Sequence, residues 1–470
     1  MAFTAEQLKI FNIGVKLKDK EVLTIIAPAG SGKTFTLVEL AKRLPNKKIL
    51  YLAYNKEIQK EASSKFPKNV FVSTAHSLAF KQLNVSDNYE LKEGGDYSAG
   101  EIAKLFNDEI SNAEAEKVKN LFEKFCNSAD LNFSKNAIKK NPLLSFAIKM
   151  YSMMLSKKIP ITHSFYFKEF QRQQKTLDYE VVLLDEAQDS NPVTLDMFFN
   201  LKGAKVLVGD PHQAIYSFRG SVNAIENIEA KYTTYLTKCF RCNPDIIDRA
   251  NEILSLKGNQ NFKIESLANN SVLDIKSRAV ITRTNAKIVE LLANECLPNT
   301  KQDINYILAK PPKDFFDDIL KLVDFLRPSK TEGIPKNNYY FKLYKDEETF
   351  KEFISKSNDI NLKSAFRLVM KYGRFIYKIK AYAQDIYKRR KELKEKGEVI
   401  NLMTAHASKG LEFDEVYLKD DFPDLKKMRE QIYKGERTMA EFNEEINRYY
   451  VAVTRAKAVL YDETKSAESI

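Results

Sequence analysis

Cysteine is scarce, with four residues in 470: Cys126, Cys239, Cys242 and Cys296. So few thiols suit a reducing compartment rather than a disulfide scaffold. Cys239 and Cys242 form one CxxC pair, but no second pair and no paired histidine stands at metal-ligand spacing, which argues against a zinc site. No segment approaches the roughly 18 consecutive apolar residues of a membrane span. The opening residues (MAFTAEQLKIFN) lack the apolar core of a secretory signal. Internal repeats and nuclease motifs are missing too. The expectation is a soluble, cytoplasmic protein with no membrane partner. At 470 residues there is room for roughly two to four domains with real cores.

What is in excess is positive charge. The net charge of +12 makes a polyanionic partner plausible. Much of it lies in 309–396, which holds 22 Lys/Arg against 13 Asp/Glu. Within that segment Tyr372, Phe375, Tyr377, Tyr382 and Tyr387 alternate with lysines and arginines. Two readings stand side by side. The rings stack on bases while the cations meet phosphates, or the segment is an amphipathic helix with a solvated basic face.

The stretch that organises the chain is Ala27-Pro-Ala-Gly-Ser-Gly-Lys-Thr34. Residues 22–26 (VLTII) read as a buried strand, and 35–44 as a helix that stops at Pro45. A strand, a glycine-rich turn and a helix opening on Lys-Thr make a phosphate cradle. Backbone N–H groups around Gly30 to Lys33 form a donor nest. Lys33 would reach the β- and γ-phosphates of a nucleotide, and Thr34 would hold Mg²⁺ through its hydroxyl. Ala29, Gly30, Ser31, Gly32 and Phe35 complete the nucleotide-binding set. Ala27 replaces the first glycine of the motif, which is tolerable where φ is negative. Upstream, Thr4 and Gln7 have the spacing of a capping box, while the Gln7 amide also suits the adenine edge.

Strand and helix alternate beyond the loop, as in a parallel sheet covered on both faces. Residues just past the strand ends then share one edge with the phosphate loop: Asn55, Lys56, Thr74, His76 and Ser77. From 86 to 164 the strand signal vanishes and helical spacing takes over, reading as an insertion. The strand at 180–184 (EVVLL) runs into Asp185 and Glu186, a candidate Mg²⁺ ligand and a candidate base. Another, at 205–208, leads to Gln213, a candidate γ-phosphate sensor. Tyr216 and Phe218 follow beside Arg219, a pattern that suits base stacking or core packing. A second α/β pattern begins at 232–236. It passes through Cys239-Phe240-Arg241-Cys242, where Arg241 suits a γ-phosphate across a cleft, and returns after 309–396 with Thr404-Ala-His406. The helix at 444–455 ends in Arg455, a cation that needs an anionic partner beside its apolar face.

In this order, DEAQD, GDPHQAIYSFRG, TAHASKGLEF and YVAVTRA resemble the UvrD/Rep-like superfamily 1 DNA helicases, nearest in pattern to the compact branch related to the F-box DNA helicases. The resemblance spans nearly the whole chain. It implies an α/β fold of two RecA-like P-loop NTPase domains with parallel sheets, ATP between them, and a mainly helical insertion in each. The corresponding boundaries are 1–85 with 165–231 and 232–308 with 397–470 for the two domains, and 86–164 and 309–396 for the insertions. The resemblance also implies an ATP-dependent helicase moving 3′-to-5′ on single-stranded DNA.

By position, Gln7 matches the adenine reader and Phe240 the aromatic covering the base. Lys33, Thr34, Asp185, Glu186 and Gln213 match the phosphate, metal and catalytic positions of the first domain; Arg241, Glu412 and Arg455 match those of the second. The DNA-contacting set corresponds to Tyr54, Asn55, Lys56, Thr74, His76, Tyr216, Phe218, Arg219, Thr404 and His406. Phe218 stands where many members carry tryptophan, a residue absent from this chain. The expected partners are single-stranded DNA and its junctions with duplex, for a monomer or weakly self-associating chain. Alternatives are a translocase that displaces proteins with little unwinding and a nucleotide-switched DNA-binding subunit of a larger complex. The second insertion is much shorter than in large relatives, which bears on unaided strand separation.

Overall fold

The computed structural model describes residues 3–134, 140–216, 223–258, 263–297, 304–329, 338, 340–397 and 399–467. Phe218 and Arg219 therefore lie outside the described residues. The chain divides into two compact units, Met1–Thr237 and Lys238–Ile470.

The first unit is built on six parallel strands: β1 (Val22–Ile26), β2 (Ile49–Ala53), β3 (Val70–Thr74), β4 (Val181–Leu184), β5 (Ala204–Gly209) and β6 (Tyr232–Tyr235). Their order is β3-β2-β4-β5-β1-β6. The strand residues are mostly apolar and β-branched because both faces are covered. The two-residue period sorts them cleanly. Leu23, Ile25, Tyr51, Leu183, Val206 and Val208 join one core with helices α1 (Ala5–Gly14) and α2 (Lys33–Lys42). Leu50, Leu52, Val182, Leu184 and Leu207 point the other way, into a core shared with the helices of 86–164 and with His163–Arg172. Helices α3 (Lys56–Lys65) and α4 (Ala75–Gln82) follow β2 and β3.

One expectation is corrected. Residues 232–236 open the second α/β pattern in the sequence, but β6 pairs in parallel with β1, register Leu23 to Tyr232, and closes the first sheet. The first unit therefore runs to Thr237. A four-residue β-branched and aromatic strand has no local signal that says which sheet it joins.

The second unit pairs two short strands, β7 (Lys238–Cys239) and β8 (Glu265–Ser266). Its main sheet is five parallel strands: β9 (Arg278–Thr282), β10 (Tyr306–Leu308), β11 (Ile400–Thr404), β12 (Phe413–Leu418) and β13 (Ala456–Asp462). The order is β10-β11-β9-β12-β13. Val280, Tyr306, Leu308 and Leu402 face a core shared with the helices Asn285–Cys296, Lys313–Leu326, Ile360–Tyr372 and Ile376–Lys388.

The basic, aromatic stretch of 371–396 takes the amphipathic form. Tyr372, Phe375, Tyr382 and Tyr387 pack on that core. Arg374 sits over Tyr377, whose hydroxyl donates to Asp324 at 2.6 Å, and Arg390 sits 4.0 Å from the Tyr387 ring centre. Lys371 pairs with Glu290 and Arg389 with Asp385. The rings are spent on packing and on cations of the chain itself.

Candidate active site

Because β1 to β5 are parallel, their C-terminal ends lie on one edge of the first sheet, and the chemistry-bearing residues follow those ends. After β1 the loop turns through Gly30 (φ 70°) and Gly32 (φ 79°), conformations that a side chain would strain. Ala27 is fully buried and is not among the positive-φ residues, so its methyl group is accommodated. Its N–H donates to the Gly209 carbonyl at 2.9 Å, and Ser31 Oγ donates to the Pro28 carbonyl at 2.8 Å. Helix α2 opens on Lys33 with no side-chain cap, leaving its first N–H groups turned toward the loop.

Lys33 Nζ pairs with Glu186 Oε1 at 3.1 Å. Burial works against the ammonium charge, but Glu186, Asp210 and Asp185 outweigh it and raise its pKa. Thr34 Oγ1 donates to Asp185 Oδ2 at 3.3 Å, and the Tyr51 hydroxyl donates to the same oxygen at 2.6 Å. Burial, then the Glu186 charge, push the Asp185 carboxyl up to about 6 against the pull of Lys33 and Tyr51. Glu186 itself holds a left-handed backbone (φ 49°), a conformation that costs a non-glycine residue about 1–3 kcal/mol. Gln213 donates through Nε2 to Asp210 Oδ2 at 2.8 Å. Lys33, Thr34, Tyr51, Asp185, Glu186, Asp210 and Gln213 thus form one cluster. Tyr51 and Asp210 are the members that sequence reasoning missed. A tyrosine inside an apolar strand is the one signal that pointed to the first.

Gln7 satisfies the capping box, its Oε1 accepting the Thr4 N–H at 3.0 Å and its N–H donating to Thr4 Oγ1 at 3.2 Å. The same side chain lies against the phosphate loop: Nε2 reaches Thr36 Oγ1 at 3.4 Å and lies 3.9 Å from where a Gly32 Cβ would stand. Phe35 is 47 % exposed beside Phe3.

On the same edge Tyr54 and Tyr216 stack, with ring centres 6.4 Å apart and planes 12° from parallel. Asn55 caps α3 by accepting the Ile58 N–H, Lys56 is exposed, and Thr74 caps α4 through the Ser77 N–H. The His76 ring stacks on Phe167 at 4.4 Å.

In the second unit Arg241 Nε pairs with Glu412 Oε2 at 2.7 Å, and Phe240 is 47 % exposed. Arg455 is buried at the end of helix Met439–Val453, where carbonyls carry partial negative charge. It donates to the carbonyls of Val451 and Leu411 at 2.8 and 3.1 Å and to Thr454 Oγ1 at 3.1 Å. Thr404 caps the next short helix through the Ala407 N–H, and Arg448 lies 3.4 Å from His406 Nε2.

A parallel sheet with a glycine-rich phosphate loop after one strand and an Asp-Glu pair after another defines a RecA-like P-loop nucleotide-binding domain. The second unit repeats the parallel α/β plan, and each unit carries helices inserted between its strands. Comparison with known proteins agrees. An AAA domain model matches residues 13–219, and a UvrD-like helicase C-terminal domain model matches 342–464. The chain is 29 % identical to F-box DNA helicase 1 of Gallus gallus, over 97 % of this chain and 48 % of that protein. It is 30 % identical to F-box DNA helicase protein 1 of Schizosaccharomyces pombe, over 97 % and 56 %. A probable DNA helicase II homolog of Mycoplasma pneumoniae is 22 % identical over 96 % and 84 %. The chain thus carries a match to an AAA domain and a match to a UvrD-like helicase C-terminal domain, is similar along nearly its whole length to DNA helicases, and spans about half the length of the two F-box helicases. No helix among the described residues is long and apolar enough to cross a membrane.

Proposed function

We propose that the chain is an ATP-dependent DNA helicase that moves 3′-to-5′ on single-stranded DNA and couples ATP hydrolysis to strand separation. The observation that carries this reading is the Lys33–Glu186 pair in a cluster of buried carboxylates at the phosphate loop, on the same sheet edge as the Tyr54–Tyr216 ring pair. A triphosphate on the loop would take Lys33 for its β- and γ-oxygens. Glu186, released, would polarise the attacking water. Gln213 would report the γ-phosphate.

The donor set fits Mg²⁺: a hydroxyl and a carboxylate, both hard oxygen ligands, meet at Thr34 and Asp185. Held there, the ion would neutralise phosphate charge. Gln7 and Phe240 would read and cover the adenine. Arg241 and Arg455, with Glu412, are the groups we assign to the second unit's share of the nucleotide. Arg455 would then exchange backbone carbonyls for phosphate oxygens. Tyr54, Asn55, Lys56, Thr74, His76, Tyr216, Thr404 and His406 would contact the strand, with Phe218 and Arg219 from the sequence reading. Stacking worth about 1–3 kcal/mol per base holds position yet releases each cycle. The proposed partners are single-stranded DNA and its junctions with duplex, bound by a monomer or weakly associating chain in the cytoplasm.

A second reading is a single-strand translocase that displaces bound proteins with little unwinding. It is favoured by the inward packing of the aromatics in 371–396, which leaves that segment few free rings for a duplex junction. Unwinding of 3′-tailed, 5′-tailed and forked duplexes separates the two, alongside displacement of streptavidin from a biotinylated single strand. Preference for a 5′ tail would reverse the polarity, and a lack of DNA-stimulated ATP hydrolysis would remove both readings.

A further inference from the structure

One side chain in the DEAQD stretch has no role in the scheme above, and the geometry gives it one. Gln188 is fully buried between the loop after β4 and the loop after β5, and both polar atoms of its amide are used. Its Nε2 donates to Glu186 Oε2 at 2.5 Å, and its Oε1 accepts the Asp210 N–H at 3.0 Å. Asp210 holds Gln213 in turn. The fit has no slack, because a Cβ on Gly209 would stand 2.1 Å from Gln188 Oε1. Glycine at that position leaves the space the amide fills.

Glu186 sits in a left-handed backbone conformation, so its carboxylate is aimed by its partners rather than by a relaxed chain. Lys33 is one of those partners, and it is the group a phosphate would claim. Gln188 would still hold the carboxylate after that exchange, and it ties Glu186 to the segment 209–213, which runs on to Tyr216. Only an amide of this length serves, since the bridge needs a donor toward Glu186 and an acceptor toward Asp210 N–H.

We propose that Gln188 is a positioning residue that couples the aim of the Glu186 carboxylate to the segment 209–213, so that a strand held at Tyr54 and Tyr216 sets the hydrolytic rate through it. The inference rests on the ATP-hydrolysis reading above. The test measures steady-state ATP hydrolysis by the full chain with and without oligo(dT), for wild type, Gln188→Leu and the isosteric Gln188→Glu. ATP-analogue binding and thermal melting follow folding. The expected result is that KM for ATP stays within about twofold. The kcat in saturating oligo(dT) falls about tenfold or more in both variants, because a mis-aimed base forfeits part of the 10²–10⁴ that general base catalysis supplies. Gln188→Glu keeps the shape and folds, yet loses the donor and sets a like charge against Glu186. Wild-type kcat and stimulation in Gln188→Glu would overturn the proposal, as would a rise in KM that alone accounts for the loss. Wild type that hydrolyses no ATP at all would instead overturn the reading beneath it.

Discussion

At the scale of single residues, the first unit concentrates charge where apolar strands end. Asp185, Asp210 and Glu186 crowd around one lysine, and the cost of that crowding shows in the raised Asp185 carboxyl. Replacing Glu186 with Gln keeps the shape and removes the proposed base; the expected loss in kcat is about 10²–10⁴-fold with nucleotide binding retained, measured as DNA-stimulated hydrolysis beside analogue binding. Tyr51→Phe deletes the 2.6 Å hydrogen bond to Asp185 Oδ2, so titration with Mn²⁺ in the presence of a non-hydrolysable nucleotide should show weaker ion binding. A different carboxylate sets a pH dependence. Asp414 accepts the N–H groups of Lys276 and Ser277 and pairs with Lys457 at 2.6 Å. Burial raises its pKa, but Lys457, Ser277 and the backbone donors win and hold it at about 2. A depressed carboxyl stabilises the fold fully above its ordinary value near 3.8 and loses that contribution as pH falls toward 2. Asp414→Ala should therefore cost roughly 1–3 kcal/mol at neutral pH, with the gap to wild type narrowing between about pH 4 and pH 2 in urea titrations.

At the scale of elements, turns matter as much as strands. Gly203 leads into β5 with φ 97°, and an added Cβ would meet the Tyr179 carbonyl oxygen and the Glu180 backbone at 2.6 Å. Gly203→Ala should destabilise the first unit by at least about 1–3 kcal/mol, seen as a lower melting temperature. The strand-turn-helix of the phosphate loop was legible because every part of it is contiguous. So was the Asp-Glu pair, at the end of a run that only a buried strand explains. By contrast β6 was assigned to the wrong sheet, since four residues carry no information about a partner some 200 positions earlier. The aromatics of 371–396 were equally ambiguous. Helical spacing fixes which residues share a face, but not whether that face meets DNA or the core.

At the scale of the whole molecule, the +12 charge suits the proposed single-stranded DNA partner, and the logarithm of that affinity should fall linearly with the logarithm of salt concentration, measured by fluorescence anisotropy. A salt-independent affinity would count against phosphate contacts. The sequence by itself determined the class of nucleotide loop, the parallel α/β pattern and the helical insertions, because each is written in neighbouring residues and their period. Only tertiary structure decided which side chains stand around that loop. Tyr51 reaches Asp185 across 134 positions, Gln188 bridges to Asp210, and in the second unit Arg455 settles on the Val451 and Leu411 carbonyls. Each of these rests on a buried polar group finding a partner, and such partners are chosen by proximity in space, which no local pattern encodes.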